Sequence, residues 1–143
     1  ANTVDTLRSF AGGVDGAVAD PTAVALAACD PANPYGAALP WPARGGDTSH
    51  RPGRKAGALV VLVGGELVWF VERGGRSMLT FSTDQGVHHA AAAALAGLVS
   101  TRRVDSLLVE RIDGAPVLGD DSAAAAALAV AGFAKTPRGL RLR

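Results

Sequence analysis

Apolar positions gather into short runs separated by glycine pairs, and their period changes along the chain. Ala58–Val63 (ALVVLV) and Glu66–Val71 (ELVWFV) flank Gly64-Gly65. Two apolar runs split by two glycines predict a hairpin, because glycine reaches the positive φ that tight turns require. Gly74-Gly75 leads into a third run, Ser77–Phe81, which completes an antiparallel meander. Leu59, Val61 and Val63 fall on one face of the first strand, Val60 and Leu62 on the other, so both faces require cover. Upstream, Pro21 opens Thr22–Cys29, where Val24, Leu26 and Ala28 alternate with small residues as in a strand. Downstream, Asp84 is placed to cap a helix running through Ser100, with Leu95, Leu98 and Val99 as its buried stripe. Ser106–Ile112 predicts a strand and Asp113-Gly114 a turn. Ala115–Leu118 predicts an edge strand, since Pro116 forbids a central one. Asp120, Asp121 or Ser122 caps an alanine-rich helix that stops at Gly132. Gly139–Arg143 alternates Leu140 and Leu142 inward with Arg141 and Arg143 outward. This order is α+β: a curled antiparallel β-sheet, or β-barrel-like module, covered by two helices. It lacks the strict βαβ alternation of a nucleotide-binding sheet.

A chain of 143 residues suits one domain, and a domain of this size buries roughly 68–70% of its unfolded surface. Val4 and Leu7 are spaced for a short helical stretch before Gly12-Gly13 and Gly16 break it. Residues 1–20 are therefore expected to be the tail of a preceding element and a linker, with the domain proper over 21–143. Hydrophobic content of 48% against 19% charged argues against disorder. Cys29 is the sole cysteine, which excludes an intrachain disulfide and fits a reducing cytoplasm. No apolar run approaches the length of a membrane span. The net charge of +1 conceals an asymmetry. Residues 1–43 carry Arg8 against Asp5, Asp15, Asp20 and Asp30, whereas residues 44–143 hold the other 13 basic and 9 acidic side chains. The basic excess, concentrated in residues 44–55 and 135–143, suits an anionic partner.

Between the first strand and the meander lies DPANPYGAALPWP, Asp30 to Pro42, with four prolines and the large aromatics Tyr35 and Trp41. It can be neither helix nor central strand. It is expected to act mainly as a rigid strap fixing Thr22–Cys29 against the meander, with Trp41 either a plug beneath it or a ring displayed to a ligand. Arg44, His50, Arg51, Arg54 and Lys55 follow directly. Basic side chains that track phosphates, beside rings on which bases stack, make a sequence-tolerant grip on single strands.

Other chemistry is poorly represented. No phosphate loop or dinucleotide fingerprint occurs, and Gly53–Gly57 precedes a strand rather than following one. His88 and His89 are adjacent, so on a helix they point about 100° apart and cannot share a metal as an i, i+4 pair does. They are expected at a partly exposed helix N-terminus as neutral imidazoles. Asp47, Ser49 and His50 have the residue types of a hydrolase triad, but one Gly- and Arg-rich loop cannot fix them. Glu66 and Glu72 match no carboxylate-pair chemistry. No catalytic or metal-binding residue is assigned.

The Asp30–Pro42 block resembles a segment of the C-terminal region of the Lhr family, the bacterial large helicase-related ATP-dependent helicases. Arg54–Val63, Val71–Phe81 and Gly132–Arg143 are similar to further segments of that region in the same order, so the resemblance covers Thr22 to the end. Thr3–Ser9 resembles the close of a winged helix. The resemblance implies a piece of a larger protein with two RecA-like motor domains and an array of winged helices ending in a β-barrel-containing module. It implies 3′-to-5′ translocation on single-stranded DNA, unwinding of duplexes and RNA–DNA hybrids, and a part in DNA repair. ATP and Mg would belong to the parent's motor domains, with no cofactor in this fragment. Expected partners are single-stranded DNA or RNA–DNA hybrid, neighbouring winged-helix domains and a second copy of the chain, with no membrane. The implied roles are a nucleic-acid-binding accessory domain, a structural or oligomerisation module closing the array, or part of a glycosylase-like extension.

Overall fold

A computed structural model describes residues 22–42, 52–119 and 122–143. The expected tail over residues 1–20 lies outside them. The elements in chain order are β1 (Ala23–Ala27), β2 (Leu59–Val63), β3 (Glu66–Val71), a 3-10 turn (Arg73–Gly75), β4 (Ser77–Thr80), α1 (Gln85–Ser100), β5 (Leu107–Val109), β6 (Arg111–Ile112), β7 (Ala115–Pro116), α2 (Ala123–Val130), β8 (Ala134–Thr136) and β9 (Gly139–Leu142). The fold is α+β with two helices.

The meander forms as its pattern dictates. β2 and β3 pair antiparallel around Gly64 and Gly65, both at positive φ, and β4 pairs antiparallel with β3. β1 pairs antiparallel with the free edge of β2. Three features depart from expectation. The predicted strand Ser106–Ile112 divides at Glu110: β5 joins β9 and β8 in a small sheet, while β6 enters the large one. β6 runs parallel to β4, because the chain returns to the sheet through α1 and β5 rather than by a hairpin, so the large sheet is mixed. Its strands run β1-β2-β3-β4-β6-β7, and no pairing among the described residues joins β7 to β1. The sheet is open, and the barrel-like closure is not formed.

Both faces of the meander are buried, by different means. Val61, Val63, Val71 and Met78 face α1 and α2, where Leu95, Leu98, Val99 and Leu128 complete the main core. Val60, Leu62, Leu67, Phe70 and Leu79 form a second cluster on the opposite face, joined by Tyr35 and Trp41. The register of β2 against β3 slips between Val61 and Leu62. That β-bulge turns two consecutive residues, Val68 and Trp69, towards the helices.

The helix ends follow local chemistry. Asp84 caps α1, accepting from the amides of Gly86 and Val87, and Ser122 caps α2 through Ala125. His88, expected at a partly exposed position, is instead 3% exposed. Its Nδ1 accepts from the indole N–H of Trp69 at 2.9 Å, and its Nε2 donates to the Ser82 carbonyl at 2.7 Å. An indole can only donate and a carbonyl can only accept. These partners fix the tautomer with the proton on Nε2 and satisfy both ring nitrogens.

Candidate nucleic-acid interface

The Asp30–Pro42 segment is an ordered strap held by its own polar groups. Asp30 Oδ1 accepts from the amide of Ala32, a turn that starts the reversal after β1. Asn33 is 1% exposed. Its Nδ2 donates to the carbonyls of Ala28 and Tyr35, and its Oδ1 accepts from the Tyr35 amide. A buried amide so placed substitutes for the backbone pairing that proline denies this segment. The Gly36 amide then donates to Leu39 and the Leu39 amide to Pro34, closing a compact loop.

The two aromatics fasten the loop to the sheet. The Tyr35 hydroxyl donates to the Gly65 carbonyl at 3.3 Å and accepts from the Leu67 amide at 3.2 Å, tying the strap to the β2–β3 hairpin. Trp41 stacks on Tyr35 with centroids 6.4 Å apart and meets the Phe70 ring edge-on at 5.7 Å. Its indole also lies against Gly36, where a Cβ would come within 2.8 Å of three ring atoms. Both aromatics are half-buried and pack against the second cluster.

The basic residues divide. Arg54 turns inward on the strap, its Nη1 donating to the carbonyls of Asn33 (2.8 Å) and Tyr35 (3.0 Å) and its Nη2 to that of Asp30 (3.2 Å). A planar guanidinium suits this task because its fork of donors can reach several carbonyls at once. Lys55 is exposed, pairs with Glu72 at 2.8 Å and lies 5.7 Å from the centre of the Phe70 ring. Arg44, His50 and Arg51 lie outside the described residues, as does the Asp47–Ser49–His50 trio. The structure thus brings Tyr35, Trp41, Arg54 and Lys55 together around one end of the second cluster. Asn33, the buried centre of the strap, carries no local signal in the sequence beyond standing between two prolines.

Among the described residues no three His, Cys, Asp or Glu side chains are grouped to hold a metal ion, and no helix is long and apolar enough to cross a membrane.

No family model matches the chain. Two curated proteins do. One, from Mycolicibacterium smegmatis, is described as "Lhr helicase/ probable uracil glycosylase" and is 58% identical over 148 aligned positions, which take in all of this chain and 10% of that protein. The other, from Escherichia coli K12, is described as "Lhr helicase/uracil glycosylase" and is 44% identical over 79 positions, 52% of this chain and 5% of that protein. The chain therefore spans about a tenth or less of the relatives it matches. With 58% identity along its full length to one of them, the chain belongs to the Lhr helicase family and corresponds to a short segment of those proteins.

Proposed function

We propose that this chain is the C-terminal accessory module of an Lhr-type ATP-dependent helicase and that it helps to hold nucleic acid for motor domains elsewhere in the polypeptide. The observation that carries this reading is the whole-length identity to a protein described as an Lhr helicase. In this reading ATP and Mg act at the motor domains. The module adds affinity for single-stranded DNA or RNA–DNA hybrid in the cytoplasm, during DNA repair, and sits beside winged-helix neighbours over residues 21–143. The strap supports the reading because it is an ordered platform, with half-buried Trp41 and Tyr35, directly ahead of residues 44–51 in the sequence. We assign Arg44, His50 and Arg51 to phosphates and the outer ring surface of Trp41 or Tyr35 to base contact. Arg54 and Lys55 set the platform and add positive charge beside it. Phosphate contacts release counterions, so a lost contact flattens the salt dependence of binding by about 0.7 per contact on single strands. Charge reversal of Arg44 and Arg51 together in the full-length helicase should weaken single-strand binding and lower that slope. Unchanged affinity and slope would sink the assignment.

A second reading, a structural module closing the winged-helix array or joining subunits, is favoured by one observation. Tyr35, Arg54 and Lys55 all have partners within the domain. Light scattering of the full-length protein with and without residues 21–143 separates the two: lost assembly with intact nucleic-acid affinity supports the structural role. The relatives' descriptions also name uracil glycosylase. We assign no residue of this module to base excision, and abasic-site formation on uracil-containing strands by the full-length protein, with and without the module, tests whether it contributes.

A further inference from the structure

The turn between β3 and β4 reads Glu72-Arg73-Gly74-Gly75-Arg76 and is anchored at both ends. The Glu72 amide donates to the Ser77 carbonyl at 2.9 Å and the Gly75 amide to the Glu72 carbonyl at 2.8 Å. Gly75 is buried against β5, where a Cβ would stand 3.2 Å from the Leu108 amide nitrogen. The Arg76 carbonyl accepts from the amides of both Glu110 and Arg111, so the turn is bound to the point where the chain passes from the small sheet to the large one. Arg73 and Arg76 stand exposed on this rigid base. They border one open cleft of about 450 Å³ whose third wall is Glu72.

The nearby carboxylates are shared with other cations. Glu72 pairs with Lys55 at 2.8 Å, and Glu110 pairs with Arg138 at 3.3 Å. Neither guanidinium makes an ion pair or a side-chain hydrogen bond to another described residue. Two forked cations thus border one cleft whose single carboxylate, Glu72, is shared with Lys55. An anion with several acceptor oxygens relieves their repulsion, and the planar guanidinium matches phosphate in two-point contacts.

We propose that Arg73 and Arg76 form a phosphate clamp for the sugar–phosphate backbone of a nucleic-acid strand, beside Lys55, which shares Glu72 with the cleft. This rests on the accessory-module reading above, which supplies the strand. The clamp reads no sequence, since backbone contacts position a strand without specifying it.

The test is anisotropy of a fluorescein-labelled oligothymidylate with the full-length helicase across a salt series, comparing wild type, R73E/R76E, R73Q/R76Q and the Arg44/Arg51 reversal. Loss of two phosphate contacts lowers the salt slope by about 1.4 and, through counterion release alone, weakens binding about 25-fold at about 0.1 M salt. Unaltered affinity and slope in both Arg73/Arg76 variants, with a loss in the Arg44/Arg51 variant, overturns the clamp and leaves the accessory-module reading standing. No change in any variant overturns both. A change in mass by light scattering with unaltered nucleic-acid binding assigns the cleft to an acidic protein surface and also overturns the clamp. Phenylglyoxal labelling of the wild-type protein, read by mass spectrometry, is independent of variant folding: the oligonucleotide should protect Arg73 and Arg76, and equal labelling with and without it refutes the proposal.

Discussion

Removing the Arg54 side chain should cost this chain stability rather than ionic contact with a ligand. Arg54→Ala deletes three hydrogen bonds, to the carbonyls of Asp30, Asn33 and Tyr35. Hydrogen bonds from charged donors are worth about 1.5–3 kcal/mol each, but three bonds sharing one side chain do not add independently. Arg54 is also half-exposed, so water can recover part of what the carbonyls lose. A loss of about 3 kcal/mol follows from these terms together. With a urea dependence of about 1.5 kcal/mol per molar, that loss moves the midpoint down by about 2 M. Urea unfolding followed by tryptophan fluorescence is well suited because Trp41 sits on the strap and Trp69 in the main core. The Trp41 signal should change first if the strap detaches alone. Arg54→Lys should restore only part of the stability, because one compact ammonium cannot span three carbonyls as the fork does. A variant within about 0.5 kcal/mol of wild type, with a flattened salt dependence of single-strand binding, would refute the clamp on the strap and return Arg54 to the phosphate contacts.

Other perturbations probe the same framework. His88→Ala leaves the Trp69 indole N–H and the Ser82 carbonyl without their partner and opens a cavity, for a loss of about 3 kcal/mol in urea unfolding. Gly36→Ala places a Cβ within 2.8 Å of the Trp41 indole at a residue with φ of +80°. It should cost about 1–3 kcal/mol and raise acrylamide quenching of tryptophan, since Trp69 is fully buried and contributes little. Asp84→Ala removes the cap that accepts from Gly86 and Val87 and should cost about 1 kcal/mol, with Asp84→Asn recovering most of it in the same assay.

What the sequence discloses here depends on whether a contact leaves a local trace. Gly64-Gly65 between two apolar runs discloses the hairpin, and Asp84 ahead of a long alanine-rich stretch discloses α1 with its cap, because both signals lie within a few residues of the structure they cause. The bulge leaves no such trace. Strict alternation would put Leu67 and Trp69 on one face, yet Leu67 lies in the second cluster and Trp69 in the main core. That shift is what carries the indole to His88, so a buried histidine reads locally as an exposed one. The division of Ser106–Ile112 is equally silent, since Leu107, Val109 and Ile112 are apolar whichever sheet receives them; the deciding contact is the Arg76 carbonyl, more than thirty residues upstream. β8 escapes notice because its three residues are polar or small, and its pairing depends on β9 across the Thr136–Gly139 turn. The same asymmetry governs the candidate site. Charge and aromatic content mark Arg54, Lys55, Tyr35 and Trp41 as a group, and the structure does gather the four. Composition cannot distinguish an arginine that faces solvent from one whose donors reach carbonyls 19 to 24 residues away. Arg73 and Arg76, whose guanidinium groups make no ion pair or side-chain hydrogen bond to another described residue, lie in a glycine turn whose sequence signals only a reversal of the chain. Among the described residues the fold therefore turns Arg54 of the basic segment inward and leaves two guanidinium groups exposed on a turn that composition passes over.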